Sequence, residues 1–247
     1  MATCWRPDGD IVFLSGASIK ADADGNVSEW PSSVNGVVAR PASNAPPARV
    51  VLAKGGACAA FSGTVDPLVI GASAAIATPG DYSVTTVLKR GAKLDPSKFY
   101  GRVAVARVSF TDRKYSGFAL MSEYQDPQGF VDTSRYAARL SVNYDTSTAI
   151  EAVEPSVRDD GLHVVVLQRS GDNVQLRIDG ESFGPGSGAS AVVVPGTQPL
   201  AIGGLQGIAS DVGIFTGAIC TLIVHAGTET DAAITSKIAA LRAQYGL

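Results

Sequence analysis

The sequence predicts an all-β fold, two antiparallel sheets packed as a sandwich with a short C-terminal α-helix laid against them. Three observations carry this expectation. Short apolar runs recur along the chain, separated by glycine, asparagine, aspartate and proline turn signals, as in sandwiches and barrels. One pair of runs, over residues 162–178, reads as a complete hairpin. The tail then changes its apolar period from the two of a strand to the roughly 3.6 of a helix.

The hairpin is the clearest element. Leu162-His163-Val164-Val165-Val166-Leu167 is apolar on both faces, as expected of a central strand covered on both sides. Gly171-Asp172-Asn173 supplies the turn. In the return strand Val174, Leu176 and Ile178 face one way, and Gln175, Arg177 and Asp179 face the other. Asp179-Gly180 ends it with a second turn. Further strands are expected over 11–14, 50–52, 82–88, 100–110, 117–124, 136–144, 191–194, 200–202 and 218–225. Residues 39–49, with three prolines, and 125–134, with Asp126-Pro127-Gln128-Gly129, read as long surface loops. In the tail, Ile234, Ile238, Leu241 and Tyr245 share one helical face. Thr230 or Asp231 is placed to cap its start, and Gly246 its end. Such a helix is expected to cover an open edge or end of the sandwich.

Length and composition set limits. The 247 residues suit one large all-β domain, expected over 1–247 with the sandwich in 1–228 and the helix in 229–247. A hydrophobic content of 45% with 17% charged residues argues against disorder. The 20 basic and 23 acidic residues are well mixed, so no nucleic-acid partner is expected. No apolar run reaches the ~18 residues of a membrane helix, so no membrane insertion is expected. The start, Met1-Ala2-Thr3-Cys4-Trp5, lacks the charged and apolar regions of a secretion signal, so folding in a cytoplasm is expected if Met1 is the natural start. Cys4, Cys58 and Cys220 form an odd, widely spaced set. Cys58 and Cys220 are therefore read as small core residues, not as a disulfide.

Several segments, in order, resemble concanavalin A-like (LamG-like) domains of bacterial and phage proteins. They are Asp24-Gly25-Asn26-Val27-Ser28-Glu29-Trp30; Phe61-Ser62-Gly63 with Asp66-Pro67-Leu68; the 162–180 hairpin; Leu200-Ala201-Ile202-Gly203-Gly204 with Phe215-Thr216-Gly217-Ala218-Ile219; and the terminal Ala240-Leu241-Arg242-Ala243-Gln244-Tyr245-Gly246-Leu247. Leu162 departs from the pattern, which has an aromatic before the histidine. The resemblance implies a two-sheet antiparallel jelly roll with Trp30 packed inward. It also implies binding of carbohydrate or protein, sometimes with calcium, and a branch of glycan-cleaving enzymes. Fold alone does not choose among these uses.

The residues disfavour catalysis. Glycosidases flank the scissile bond with two carboxyl groups, about 5 or about 6.5–9.5 Å apart according to mechanism. The alternating E-x-D-x-x-E strand of this fold's enzymes does not occur, and Glu123 with Asp126 is the nearest pair. His163 and His225 lie in apolar strands without a nucleophile motif or an acidic ligand pattern, so both read as satisfied core groups. Asp22-Ala23-Asp24-Gly25-Asn26 superficially resembles a calcium loop, but it also makes a good polar turn, which is the preferred reading. No cofactor is expected, with calcium the lesser alternative.

Sugar sites combine an aromatic platform with planar polar partners. Asp112 and Tyr115 in one segment, and Tyr124 and Asp126 in another, offer these groups at strand ends, with Trp5 and Trp30 as alternatives. The expected role is that of a non-catalytic structural or interaction protein of a virus particle, a phage capsid-decoration or tail-associated subunit. It would contact other virion proteins or itself, and cell-surface glycans as a further partner. The alternative is a carbohydrate-binding or adhesion module at a bacterial cell surface. A glycan hydrolase or lyase ranks third.

Overall fold

A computed structural model describes residues 9–52, 56–63, 65, 67–78, 80–91, 102–111, 114–123, 136–141, 150–154, 159, 161–171, 173–187, 198–205 and 215–247. Among these the chain forms β1 (Asp10–Ser15), β2 (Lys20–Ala21), β3 (Val27–Pro31), β4 (Val38–Pro41), β5 (Ala48–Val51), β6 (Ala57–Ser62), β7 (Leu68–Ile70), β8 (Tyr82–Arg90), β9 (Arg102–Thr111), β10 (Lys114–Glu123), β11 (Ala137–Ser141), β12 (Ile150–Val153), β13 (Leu162–Ser170), β14 (Asn173–Ile178), β15 (Glu181–Ser187), β16 (Leu200–Ile202), β17 (Thr216–Ala226) and one helix, α1 (Asp231–Tyr245). One antiparallel sheet runs β15-β14-β13-β8-β17-β6-β5, with β1 also paired to β17. The other runs β12-β11-β10-β9-β16-β7-β4-β3-β2. This is the expected two-sheet sandwich with a C-terminal helix.

The core between the sheets follows from period-two patterning. Val84 and Leu88 of β8, Val165 and Leu167 of β13, Val174, Leu176 and Ile178 of β14, and Leu222 and Val224 of β17 point into it. They meet Val105, Phe118, Leu120, Leu200 and Ile202 from the opposite sheet. Trp30 is fully buried there, as expected, and its indole Nε1–H donates to Ser15 O at 2.8 Å. The hairpin turns also match expectation. Asp179 (φ 53°) and Gly180 (φ 101°) bridge Ile178 and Glu181 in the left-handed geometry that two-residue hairpins favour.

The intervening residues of the first sheet are apolar too, and this is where α1 belongs. Val87, Val164, Val166, Cys58, Cys220 and Ile223 form a second cluster with Ile234, Ile238, Leu241 and Tyr245 of the helix. The helix therefore lies on the outer face of the sheet, not over an edge or end as the tail pattern suggested. The physical reason is the double-sided apolarity of β13 and β17, joined by Val87 of β8, which needs a cover on both faces. Its caps are those expected. The Thr230 hydroxyl accepts from Ala233 N–H at 3.2 Å, and Gly246 adopts the left-handed conformation.

Two further expectations need correction. Cys58 and Cys220 are disulfide-bonded across β6 and β17. Pairing of Ile219 with Ala59 sets the two cysteines side by side, a register that spacing along the chain does not reveal. Cys4 lies outside the described residues. The proline-rich stretch 39–49 is not one long loop: β4 and β5 occupy both its ends. Ala39 pairs with Trp30 and is fully buried, so a small side chain beside a large one wins a central place despite low strand propensity. The expected strand 191–194 and loop 125–134 lie outside the described residues.

A polar lock fixes the helix. Lys237 Nζ sits 2.6 Å from Glu229 Oε1, both side chains being almost fully buried. Ser83 Oγ donates to the same carboxylate, and Gln168 Nε2 to Glu229 O at 3.0 Å. Arg177 reaches Asp231 in the first helical turn.

Two outcomes are expected. Val165→Ala and Val166→Ala should each cost about 1–3 kcal/mol in urea unfolding, because both faces of β13 are buried; a cost of only a few tenths for Val166→Ala would unseat the helix. Lys237→Ala should cost about 3–5 kcal/mol by leaving Glu229 as a buried charge.

Candidate functional site

Of the four residues expected from sequence to form a sugar site, only Tyr115 is among the described residues. Tyr115 pairs with Phe110 where β9 turns into β10. Residues 124–126 follow Glu123, the last residue of β10. Asp112, Tyr124 and Asp126 lie outside the described residues.

The topology gathers a polar cluster at the end where β8, β10, β12 and β14 finish. Arg90 closes β8, Tyr136 precedes β11, Glu154 follows β12, Asp159 and His163 flank the start of β13, and Asp179 begins the turn after β14. His163 is the centre. Its Nδ1 lies 2.7 Å from Asp179 Oδ2, and its Nε2 lies 3.1 Å from Asp159 Oδ1. Asp179 Oδ1 accepts from Val164 N–H at 3.0 Å. The Arg90 guanidinium lies 4.8 Å from the Tyr136 ring centre and donates to Asp159 O at 2.9 Å. The Tyr136 ring stands edge-on to the His163 imidazole at 5.9 Å. Tyr136 N–H donates to Glu154 Oε2 at 3.3 Å within the second sheet, and the Tyr136 ring joins that sheet to the cluster.

Sequence reasoning left His163 and Asp179 unconnected, although the signal was present. A two-residue turn that pairs Ser170 with Asn173 also places Val164 opposite Asp179 when counted outward. The left-handed backbone of Asp179 then turns its carboxylate back onto the start of β13.

Electrostatics bind the cluster together. Burial alone would lower the pKa of His163, but the hydrogen bond and charge of Asp179, with those of Asp159, raise it above the ordinary histidine value. Burial pushes Asp179 up, and the bonds from His163 and Val164 N–H outweigh it, so its carboxyl titrates below the usual range. Asp159 is also lowered, first by the Gly161 N–H and then by His163. Both ring nitrogens of His163 are engaged by carboxylates, so neither is placed to take a proton from a nucleophile. Asp159 is different, because its side chain is 81% exposed. Both its described bonds, from His163 and Gly161, fall on Oδ1. Oδ2 is left for solvent or a hydroxyl-bearing ligand.

Other candidates resolve into structure. Asp22 Oδ1 accepts from Asp24 N–H at 3.0 Å and Asn26 N–H at 2.8 Å, so the acidic loop is a polar turn. Among the described residues no group of three or more His, Cys, Asp or Glu is arranged to hold a metal ion. His225 Nδ1 lies 3.1 Å from Asp10 Oδ1, both side chains being buried. Burial is the main influence on Asp10 and raises its pKa. Among the described residues no helix is long and apolar enough to cross a membrane.

His163→Gln should destabilise the fold more at pH 5.5 than at pH 9. A histidine whose pKa is raised on folding contributes fully below its unfolded value of about 6.5 and loses that contribution as pH rises through the folded value. Asp179 stays ionised across this window. Urea unfolding of both proteins at the two pH values measures the gap, and an equal gap would remove His163 as the charged centre.

No family model matches the chain, and no curated protein matches it in sequence. Solved structures match its fold. Domain 4 of AbnA, a GH43 extracellular arabinanase from Geobacillus stearothermophilus solved in complex with arabinotriose, superposes with a TM-score of 0.62 at 12% identity, covering 92% of this chain and 97% of that domain. The Trypanosoma rangeli sialidase matches with a TM-score of 0.62 at 14% identity over 97% of this chain. The binding domain of botulinum neurotoxin DC, solved in complex with rat synaptotagmin II, matches at 0.60 and 11% identity over 95% of this chain. The matches span 34% of the sialidase chain and 52% of the toxin domain chain. At these identities the likeness is one of fold.

Proposed function

We propose that the chain is a non-catalytic carbohydrate-binding module of the concanavalin A-like jelly-roll type. Its glycan contacts lie at the end of the sandwich where β8, β10, β12 and β14 finish. The observation that carries this reading is the nearly end-to-end match with a domain that was solved holding arabinotriose. The cluster there supports it. Asp159 presents an exposed carboxylate that His163 and Gly161 brace from behind, a fitting acceptor for sugar hydroxyls. Tyr124, the aromatic platform expected from sequence, comes next in the chain after Glu123, the last residue of β10. The engagement of both His163 nitrogens, and the burial of the His225–Asp10 pair, support a binding role over turnover.

Where the module is mounted is the finer part of the proposal. A virus particle is one mounting and a bacterial cell surface the other. The Cys58–Cys220 bond suits either, because disulfides persist outside a reducing cytosol. None of the three structures compared above is a virion protein, so this part rests on the sequence. Mass spectrometry of purified particles carrying the chain supports the first mounting, and its absence from particles removes it.

Glycan-array screening followed by calorimetry tests the binding role. Asp159→Ala and Tyr124→Ala are expected to weaken the selected glycan at least tenfold, while Tyr115→Ala at the opposite end changes it less than twofold. No binding across a broad array, or loss only with Tyr115→Ala, overturns the assignment. Polysaccharide turnover abolished at a single carboxylate overturns the non-catalytic part.

A further inference from the structure

The disulfide and the helix stand in an unusual relation. Cys58 and Cys220 belong to neighbouring strands whose backbones are already hydrogen-bonded, so the bond is not needed to bring distant elements together. Both cysteines are fully buried. They face the outer side of the sheet, and what covers that side is α1: Ile234, Ile238, Leu241 and Tyr245 pack in the same cluster. Tyr245 seals the contact, its hydroxyl lying 2.7 Å from Thr221 Oγ1 and 3.0 Å from Cys220 O. An attacking thiolate must approach a disulfide sulfur directly, and here the helix stands over both.

We propose that α1 is a gate over the Cys58–Cys220 disulfide. The bond exchanges with an external dithiol only when the helix lifts, and breaking it in turn loosens the helix. In the exchange, a thiolate of the dithiol attacks one sulfur to form a mixed disulfide and release the other as a thiolate. The second thiol of the reductant then displaces the remaining cysteine. Two electrons and two protons pass to Cys58 and Cys220, and the reductant becomes a cyclic disulfide. The reverse coupling follows from packing. Two separate thiols need more room than a bonded pair of sulfurs, and the buried cluster that they share is filled by the helix residues Ile234, Ile238, Leu241 and Tyr245, with Tyr245 bonded to Cys220 O. Whatever the docked helix does to the bond, the bond does to the helix.

The test is the rate of reduction of the full chain by dithiothreitol, read by alkylation and intact mass. The expected rate rises with reductant and then levels off, because helix opening becomes limiting. Ile238→Ala, which thins the contact under the helix, is expected to raise the plateau at least tenfold. Tyr245→Phe, which keeps the ring and removes two hydrogen bonds, is expected to raise it severalfold. Leu120→Ala, a core change in the opposite sheet, should leave it within about twofold. In the reduced protein, α1 amides should exchange with deuterium at least tenfold faster than in the oxidised one. Alkylation of Cys58 or Cys220 without any reductant, read in a Cys4→Ser protein so that the third cysteine does not count, would show that the pair is free and overturn the proposal. So would a rate proportional to reductant throughout and unchanged in the helix variants. Equal acceleration by Leu120→Ala would assign the opening to global unfolding and likewise overturn it.

Discussion

The structure depends on a sheet whose central strands are apolar on both faces. In β13, Val165 and Leu167 enter the space between the sheets, while Val164 and Val166 point away from it. β17 repeats the arrangement with Leu222 and Val224 inside and Cys220 and Ile223 outside, and β8 adds Val87 to the outer face. A sandwich supplies one cover, and the opposite face would otherwise leave a contiguous apolar patch in water. The C-terminal helix supplies the other. It is thus a third layer of the fold, and its place is set by the strands beneath it.

Polar residues decide where that layer begins. Register aligns Asp10, His225, Ser83 and Gln168 across β1, β17, β8 and β13. Glu229 and Lys237 descend onto this row from the start of the helix. Taking two opposite charges out of water costs several kcal/mol for each ion, and their attraction regains it only in good geometry. Such a pair defines position more than it adds stability. A helix shifted by one turn would keep much of its apolar contact but would strand both charges.

Local features of the fold were legible in the chain, and long-range ones were not. The 162–180 hairpin showed itself because alternation, a Gly-Asp turn and an Asp-Gly turn agree within one short segment. The helix showed itself through Ile234, Ile238, Leu241 and Tyr245 and through caps at Thr230 and Gly246. Its seat was hidden, since a helical stripe does not say which face it will meet. The Cys58–Cys220 pairing was hidden for the same reason, because it depends on β6 lying beside β17 across a sequence separation of 162. Of the sugar-site residues named from sequence, Tyr115 lies near the start of β10, and Asp112, Tyr124 and Asp126 lie outside the described residues. His163 was recognised only as a strand histidine. Its neighbours Tyr136, Asp159 and Asp179 come from three separate places in the chain, and only Asp179 was within reach of counting along a hairpin.

Asp179 also shows why some positions admit a single side chain. Its backbone occupies a left-handed conformation that asparagine and aspartate tolerate better than longer residues. One carboxylate oxygen receives the His163 ring, the other receives the Val164 amide, and its carbonyl accepts from Arg242 of the helix at 3.3 Å. Asparagine would fit the backbone but bring no negative charge. Glutamate would bring the charge at the wrong reach and in a poorer conformation. Chemical similarity is therefore a poor guide to exchange at this turn: the two residues most like aspartate each satisfy one half of what the position asks.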